Sequence, residues 1–403
     1  MNNLLNKKKI KDPILFPSLL FFLVIMFIPK IDVLPIAGYW QGIRIEDILI
    51  LAFFLTFISK SNNLIYHQNL IYKNFLIFFI YIFISNLAAI FSGIEIKIVM
   101  VIRAFEYIVL LYFFDNFRIS KAKLKKILYI YLYINFFIAI LQYFKLVGSI
   151  SSLGYLNPQD ILSLTPMGLT GGSWELGAIA SIIFFIFCEI EKKSRNLIIL
   201  FVIVNLLLIF ASGRGNFIAF NGACALLFLF NPKMDIYFKF FLIFLSFIFF
   251  MVLKSFFFIS FFQKIFLIDL NYLITLFNQG IFHNNLPTPD ELEDMRIYLS
   301  FWYRVRDWSI FINQVTESNI NILFGIGLKH IYYDSFLIRL FVSTGIFGII
   351  LMLLMSLRLK IYLLFFFLVS GAFLDLFISM KIYFFTLLML YVHKHVTKKN
   401  ISI

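Results

Sequence analysis

The sequence predicts an all-α polytopic membrane protein with about twelve transmembrane helices and one large external loop. Three observations carry this. The 403 residues are 62% hydrophobic and only 14% charged, too little polar surface to coat a water-soluble globule of this size. Apolar runs long enough to approach a bilayer's thickness recur along the whole chain. Lys and Arg cluster at the ends of those runs.

The runs fall near 14–29, 45–59, 74–92, 98–114, 125–147, 174–190, 197–212, 216–231, 237–258, 333–356, 361–378 and 382–393. Several are shorter than the roughly 20 residues of an upright span, so tilt or local thinning is expected. Lys7, Lys8 and Lys9 precede the first run in the manner of a signal peptide, but no small-residue cleavage site follows, so this span is read as retained. With the N-terminus inside, the connections at 60–73, 115–126, 189–195, 231–239 and 358–360 and the tail from 393 are all cytoplasmic. Each of them carries Lys or Arg. The opposite orientation would put nearly every basic cluster on the wrong side. Both termini are therefore expected in the cytoplasm, with the whole chain, 1–403, forming a single membrane domain.

The formal net charge of +14 has no continuous basic face behind it, so anionic lipid headgroups, not nucleic acid, are the expected counterions. Cys188 and Cys224 lie in apolar helical sequence and read as small core hydrophobes, with no disulfide framework or thiolate metal site. No internal repeat or separate soluble domain is visible. The sequence also lacks a phosphate-binding P-loop, an H-E-x-x-H zinc helix and a D-x-D pair for a metal nucleotide. ATP-driven work and nucleotide-sugar transfer lose support, and no metal or cofactor is expected.

Two external segments exceed a turn: 148–173, rich in Gly, Ser and Pro, and 259–332. Long loops in a compact fold usually carry function. Within the second, 291–315 mixes Trp302, Ile310 and Phe311 with Arg296, Arg304, Arg306 and Asp307. It reads as an amphipathic helix on the outer membrane surface.

External cations oppose the orientation bias, so each needs a reason. Arg214 lies in the tight turn Ser212-Gly213-Arg214-Gly215-Asn216, where it either meets a ligand or snorkels to lipid phosphate. Arg304 and Arg306 lie two apart and cannot share a helix face; Trp308 is placed to stack on Arg304, and a surface anchor is the plainer reading. Arg339 lies one to two turns inside an apolar run and must face protein, water or a buried anion. Ser335 is one turn above it on the same face, whereas Asp334 points elsewhere. Arg103 and Glu106, three apart, are expected to pair along one helix, and Asp47 and Asp375 to serve as caps or arginine partners. The external groups suited to proton transfer are Glu175, Asp334 and His330. Helix-start capping competes with catalysis for the two carboxylates, and a lone histidine is more often structural. Arginines gathered with one or two carboxylates suit a substrate carrying lipid phosphate, because the guanidinium fork matches phosphate oxygens in two bonds and keeps its proton.

Three patches, in order, resemble the superfamily of Wzy polysaccharide polymerases and O-antigen ligases: Gly168 to Gly177 (GLTGGSWELG), Ala211 to Phe220 (ASGRGNFIAF), and the stretch from Arg304 through Gly348. The last contains Leu323-Phe324-Gly325-Ile326-Gly327, Asp334-Ser335-Phe336-Leu337 and Gly345-Ile346-Phe347-Gly348. The resemblance implies a GT-C-like, inverting, metal-independent glycosyltransferase acting on undecaprenyl-pyrophosphate-linked oligosaccharide at the outer face of the bacterial cytoplasmic membrane. It would build lipopolysaccharide O-antigen or capsule, with a chain-length regulator as a possible partner. Arg214 matches the arginine of the family's Ser-x-Arg-Gly patch, and Arg304 or Arg306 that of its second loop; with Arg339, these would hold the pyrophosphate. Asp334, or else Glu175, would ready the acceptor hydroxyl. Ligases carry a His-Asn pair where this chain has Tyr333-Asp334-Ser335, which favours polymerase. Two other classes stay open: a flippase for the same lipid-linked saccharide, and a ligase.

Overall fold

The computed structural model describes residues 15–34, 43–58, 70–96, 98–150, 166–191, 194–211, 213–230, 240, 244, 269–283, 285–329, 335–356, 359–373 and 379–399. Asp334, His330, Asp375 and nearly all of the expected span 237–258 lie outside them.

Helices form where the apolar runs fall, because a chain with no water to bond must satisfy its own backbone. They are α1 (Leu15–Phe27), α2 (Ile45–Ile58), α3 (Leu70–Phe91), α4 (Ile98–Asn116), α5 (Lys121–Tyr143), α6 (Ser173–Ile190), α7 (Ser194–Phe210) and α8 (Arg214–Phe230). After these come α9 (Leu270–Ile281), α10 (Met295–Thr316), α11 (Asn319–Phe324), α12 (Phe336–Ser356), α13 (Ile361–Phe373) and α14 (Met380–Lys399). Two short antiparallel strands, β1 (Asp32–Leu34) and β2 (Ile43–Arg44), join α1 to α2. Four helices, within α3, α5, α6 and α12, are long and apolar enough to cross a membrane; others in the bundle are apolar but shorter. The chain is an all-α membrane protein.

Hydrogen bonds tie the helix ends together at two opposite ends of the bundle. At one, Glu191 at the close of α6 receives Lys125 (2.5 Å) and Tyr129 (3.1 Å) from α5 and Asn196 (3.1 Å) from α7. Beside it, Glu189 pairs with Lys360 and accepts from Tyr362 (3.0 Å) at the start of α13. At the other end, the start of α6 meets the segment after α1 and the start of α14 through Glu175. α6 thus runs antiparallel to both α5 and α7. α6 is central, buried along nearly its whole length, and aromatic rings such as Phe184, Phe185 and Phe220 interlock around it.

Three features add to what the sequence shows. Arg103 reaches across to Asp47 of α2 (3.7 Å), and the Glu106 charge on its own helix acts on it as well. Asp47 is already fixed there, since it accepts from the Arg44 N–H (2.9 Å) as a helix-start cap. Secondly, α10 forms where an amphipathic helix was expected, but protein covers its apolar face. Tyr298, Trp302, Val305 and Trp308 are buried, with Tyr298 and Trp302 packed beside Leu276 of α9, and α10 also rests on α12. Thirdly, stacking is found at Arg306, whose guanidinium lies over Trp302 (5.5 Å) and Tyr303 (5.1 Å), the residues one turn before it.

α12 is broken at Gly345 (φ +62°). A break strands carbonyls, which cost free energy in an apolar bundle unless other donors reach them. Here the extended chain after α11 fills the gap: Ile326 N–H donates to Val342 O (2.8 Å) and Gly327 N–H to Ser343 O (3.2 Å). From α3, Ser85 donates to Ser343 O (2.9 Å) and Tyr81 to Thr344 O (2.9 Å), while Asn86 Oδ1 accepts from Leu328 N–H (2.8 Å). The backbones approach so closely that a Cβ on Gly345 would lie 2.4 Å from Leu323 backbone, and one on Gly325 2.4 Å from Ser343 backbone. Asn86→Leu removes the acceptor for a buried N–H, at a cost of about 1–3 kcal/mol. The expected result is faster amide hydrogen exchange across 326–328; unchanged exchange would refute the latch.

Candidate functional site

The site is built at the Glu175 end of the bundle, where all three of the sequence patches meet. The loop 166–172 enters apolar surroundings with its backbone amides exposed to no water, and polar side chains of α5 take their place. Gln142 Oε1 accepts from Met167 and Gly168 N–H (both 2.9 Å), and Asn135 Oδ1 from Leu169 N–H (2.9 Å).

Glu175, in the first turn of α6, is wholly buried (0% exposed). Its Oε1 lies 2.9 Å from Lys30 Nζ and accepts from the Ser379 hydroxyl, while Oε2 accepts from Gly171 N–H (2.5 Å). Lys30 passes so near Gly171 that a Cβ there would sit 2.2 Å from the lysine chain. Lys381 of α14, also buried, donates to the carbonyls of Ile28 and Leu169 (2.8 Å for the latter) and adds a second positive charge beside Glu175. Burial, and then the Arg44 charge, lower the Lys30 pKa to about 8. That is still above neutrality, so the pair stays charged at pH 7. With both carboxylate oxygens occupied and no exposure, Glu175 holds the loop, α1, α6 and α14 together and does not face an incoming hydroxyl.

The second patch docks beside the first. Asn216, in the first turn of α8, donates to Trp174 O (2.7 Å) and accepts from Ser370 of α13 (3.2 Å). Ser335, next to the start of α12, donates to Gly371 O (3.1 Å) on the same stretch of α13. The starts of α6, α8 and α12 are therefore joined through the end of α13.

This fixes where the arginines lie. Arg214 opens α8, two residues before Asn216, and is partly buried. Its charge lies within electrostatic range of Arg304 of α10, and among the described residues Arg214 has no hydrogen-bond or ion-pair partner. Arg306, two residues along α10, turns to another face: its Nε (2.9 Å) and Nη2 (2.8 Å) both donate to Asp307 Oδ1. Arg339 is enclosed within the bundle at 1% exposure, one turn into α12 and one turn before Ser343, which donates to its carbonyl (2.6 Å). Thus Arg214 and Arg304 come within electrostatic range of each other, Arg306 is neutralised by its neighbour, and Arg339 is a buried cation of the α12 wall.

Two guanidinium groups within electrostatic range of each other suit an anion with several oxygens, because each planar fork can match two of them. An apolar pocket lies elsewhere. It encloses about 120 Å³ between α3, α4, α12, α13 and α14, lined by Phe75, Phe79, Tyr107, Phe367 and Tyr383 among others, and none of its lining residues comes from α8 or α10. Among the described residues no cluster of His, Cys, Asp and Glu is arranged to hold a metal ion.

Sequence reasoning missed the residues that position the site: Lys30, Lys381, Ser379, Asn135, Gln142, Asn216, Asn86 and Ser85. A signal for the amides was present, since Asn and Gln inside apolar runs are costly and must have partners. No known protein family, curated protein or solved structure matches the chain.

Proposed function

We propose that the protein is a Wzy-type polymerase that extends undecaprenyl-pyrophosphate-linked oligosaccharide at the outer face of the bacterial cytoplasmic membrane, with twelve spans and both termini inside. The observation that carries this reading is the half-buried Arg214 at the start of α8, within electrostatic range of Arg304 on α10. The meeting of the three family-like patches at one end of the bundle supports it.

In this reading the acceptor sugar's hydroxyl attacks the anomeric carbon of the donor, the bond to the diphosphate oxygen breaks, and undecaprenyl diphosphate leaves with inversion. Asp334 takes the hydroxyl proton. Arg214 and Arg304 neutralise charge on the leaving diphosphate where it develops, the usual source of the largest rate gain. Arg306 is left out of the phosphate grip because Asp307 already spends its charge. Glu175 is a positioning residue that fixes the loop behind α8. No cofactor enters the reaction.

A flippase for the same lipid-linked saccharide is favoured by one feature, the break in α12, since transporters present broken helices near the midplane. Against it, the carbonyls of Val342, Ser343 and Thr344 are already occupied by the latch and by α3. Lipid-linked and surface saccharides of a deletion strain separate the classes. A ladder collapsed to a single repeat unit is expected for the polymerase; loss of all external repeats would establish the flippase, and long unattached chains the ligase.

A further inference from the structure

α10 carries a second polar surface beside the arginine pair. Tyr303, Arg306, Asp307 and Ile310 follow one another at helical spacing on one face, about 10 Å long. Tyr303 is 44% exposed. The Arg306 guanidinium covers part of its ring at 5.1 Å and also lies over Trp302, which is held by its own indole N–H to Pro287 O (2.7 Å). Because Arg306 sends both Nε and Nη2 to Asp307 Oδ1, the pair is neutral overall, yet it leaves Asp307 Oδ2 as an acceptor and Arg306 Nη1 as a donor. Neither atom has a partner among the described residues.

An exposed aromatic ring beside a fixed donor and a fixed acceptor matches the chemistry of a pyranose. The ring's C–H face packs on an aromatic surface, and neighbouring hydroxyls both donate and accept. A neutral pair gives little attraction for lipid phosphate, which argues against a headgroup anchor. We infer that the Tyr303–Arg306–Asp307 face of α10 is a saccharide-binding strip, about two sugar rings long. The identity of its ligand as the carbohydrate of the substrate rests on the polymerase reading.

The test uses the full chain in nanodiscs on an array of defined bacterial repeat-unit oligosaccharides free of lipid and phosphate, so that the arginine pair has no anion to grip. Wild-type protein is expected to bind members of the array above empty nanodiscs. Tyr303→Ala and Asp307→Ala should each weaken that binding about tenfold, and Tyr303→Phe should retain it. Absence of array binding, or equal binding by Tyr303→Ala, overturns the assignment. So does strong quenching of a Tyr303→Trp fluorophore by brominated phospholipid, which would place this face in the bilayer instead. Full-length polysaccharide in the deletion strain would refute the polymerase reading without altering these binding curves.

Discussion

Arg214→Ala is expected to stop chain extension while leaving the protein in the membrane at its normal level. Arg214 holds no described ion pair or hydrogen bond, and its removal relieves repulsion with Arg304, so the fold loses nothing it depends on. On the proposed function, the reaction loses one of two cations that would meet the leaving diphosphate. Removing a single oriented charge-stabilising group typically slows a reaction by about 10²- to 10³-fold. Arg214→Lys keeps the charge but not the planar fork, so an intermediate rate is expected. A gel ladder of surface polysaccharide, read beside an immunoblot of the membrane fraction, checks both halves. Full-length chains from Arg214→Ala would remove the central support for the proposed function.

Glu175→Ala should act through stability first. It leaves Lys30 and Lys381 buried without their shared carboxylate and strips the acceptor from Gly171 N–H and Ser379. Breaking one partner out of a buried ion pair costs about 3–5 kcal/mol. A large fall in the thermal midpoint of the detergent-solubilised protein is expected, with activity lost in proportion to folded protein. Glu175→Gln keeps an acceptor for Gly171 but drops the charge, and adding Lys30→Met should recover part of the loss, since residues in one network do not act additively. Should Glu175→Ala keep its thermal midpoint and still abolish transfer, Glu175 belongs to the reaction and not to the scaffold.

These two arginine and glutamate results bracket what could be read in advance. Glu175 was visible as a carboxylate at a helix start, but its neighbours Lys30 and Lys381 stand at remote places in the chain, and each alone looks like a flanking basic residue. Arg304 and Arg306 were indistinguishable by position. Only the packing of α9 and α12 around α10 separates them, because it buries one side of the helix and so leaves Arg304 half-buried and Arg306 exposed on Asp307. The latch at Gly345 was present as two glycine patches, Leu323 to Gly327 and Gly345 to Gly348. That they bind each other depends on carbonyls that exist only once α12 breaks.

The runs of apolar residues by themselves determined the helices, nearly to their ends: 174–190 became Ser173–Ile190, 98–114 became Ile98–Asn116, and 216–231 became Arg214–Phe230. That follows from local physics, since an apolar segment without water must bond its own backbone. Which polar groups meet was decided by tertiary structure alone. In an apolar interior every charge and amide must find a partner, and the partner comes from whichever helix end the bundle brings near.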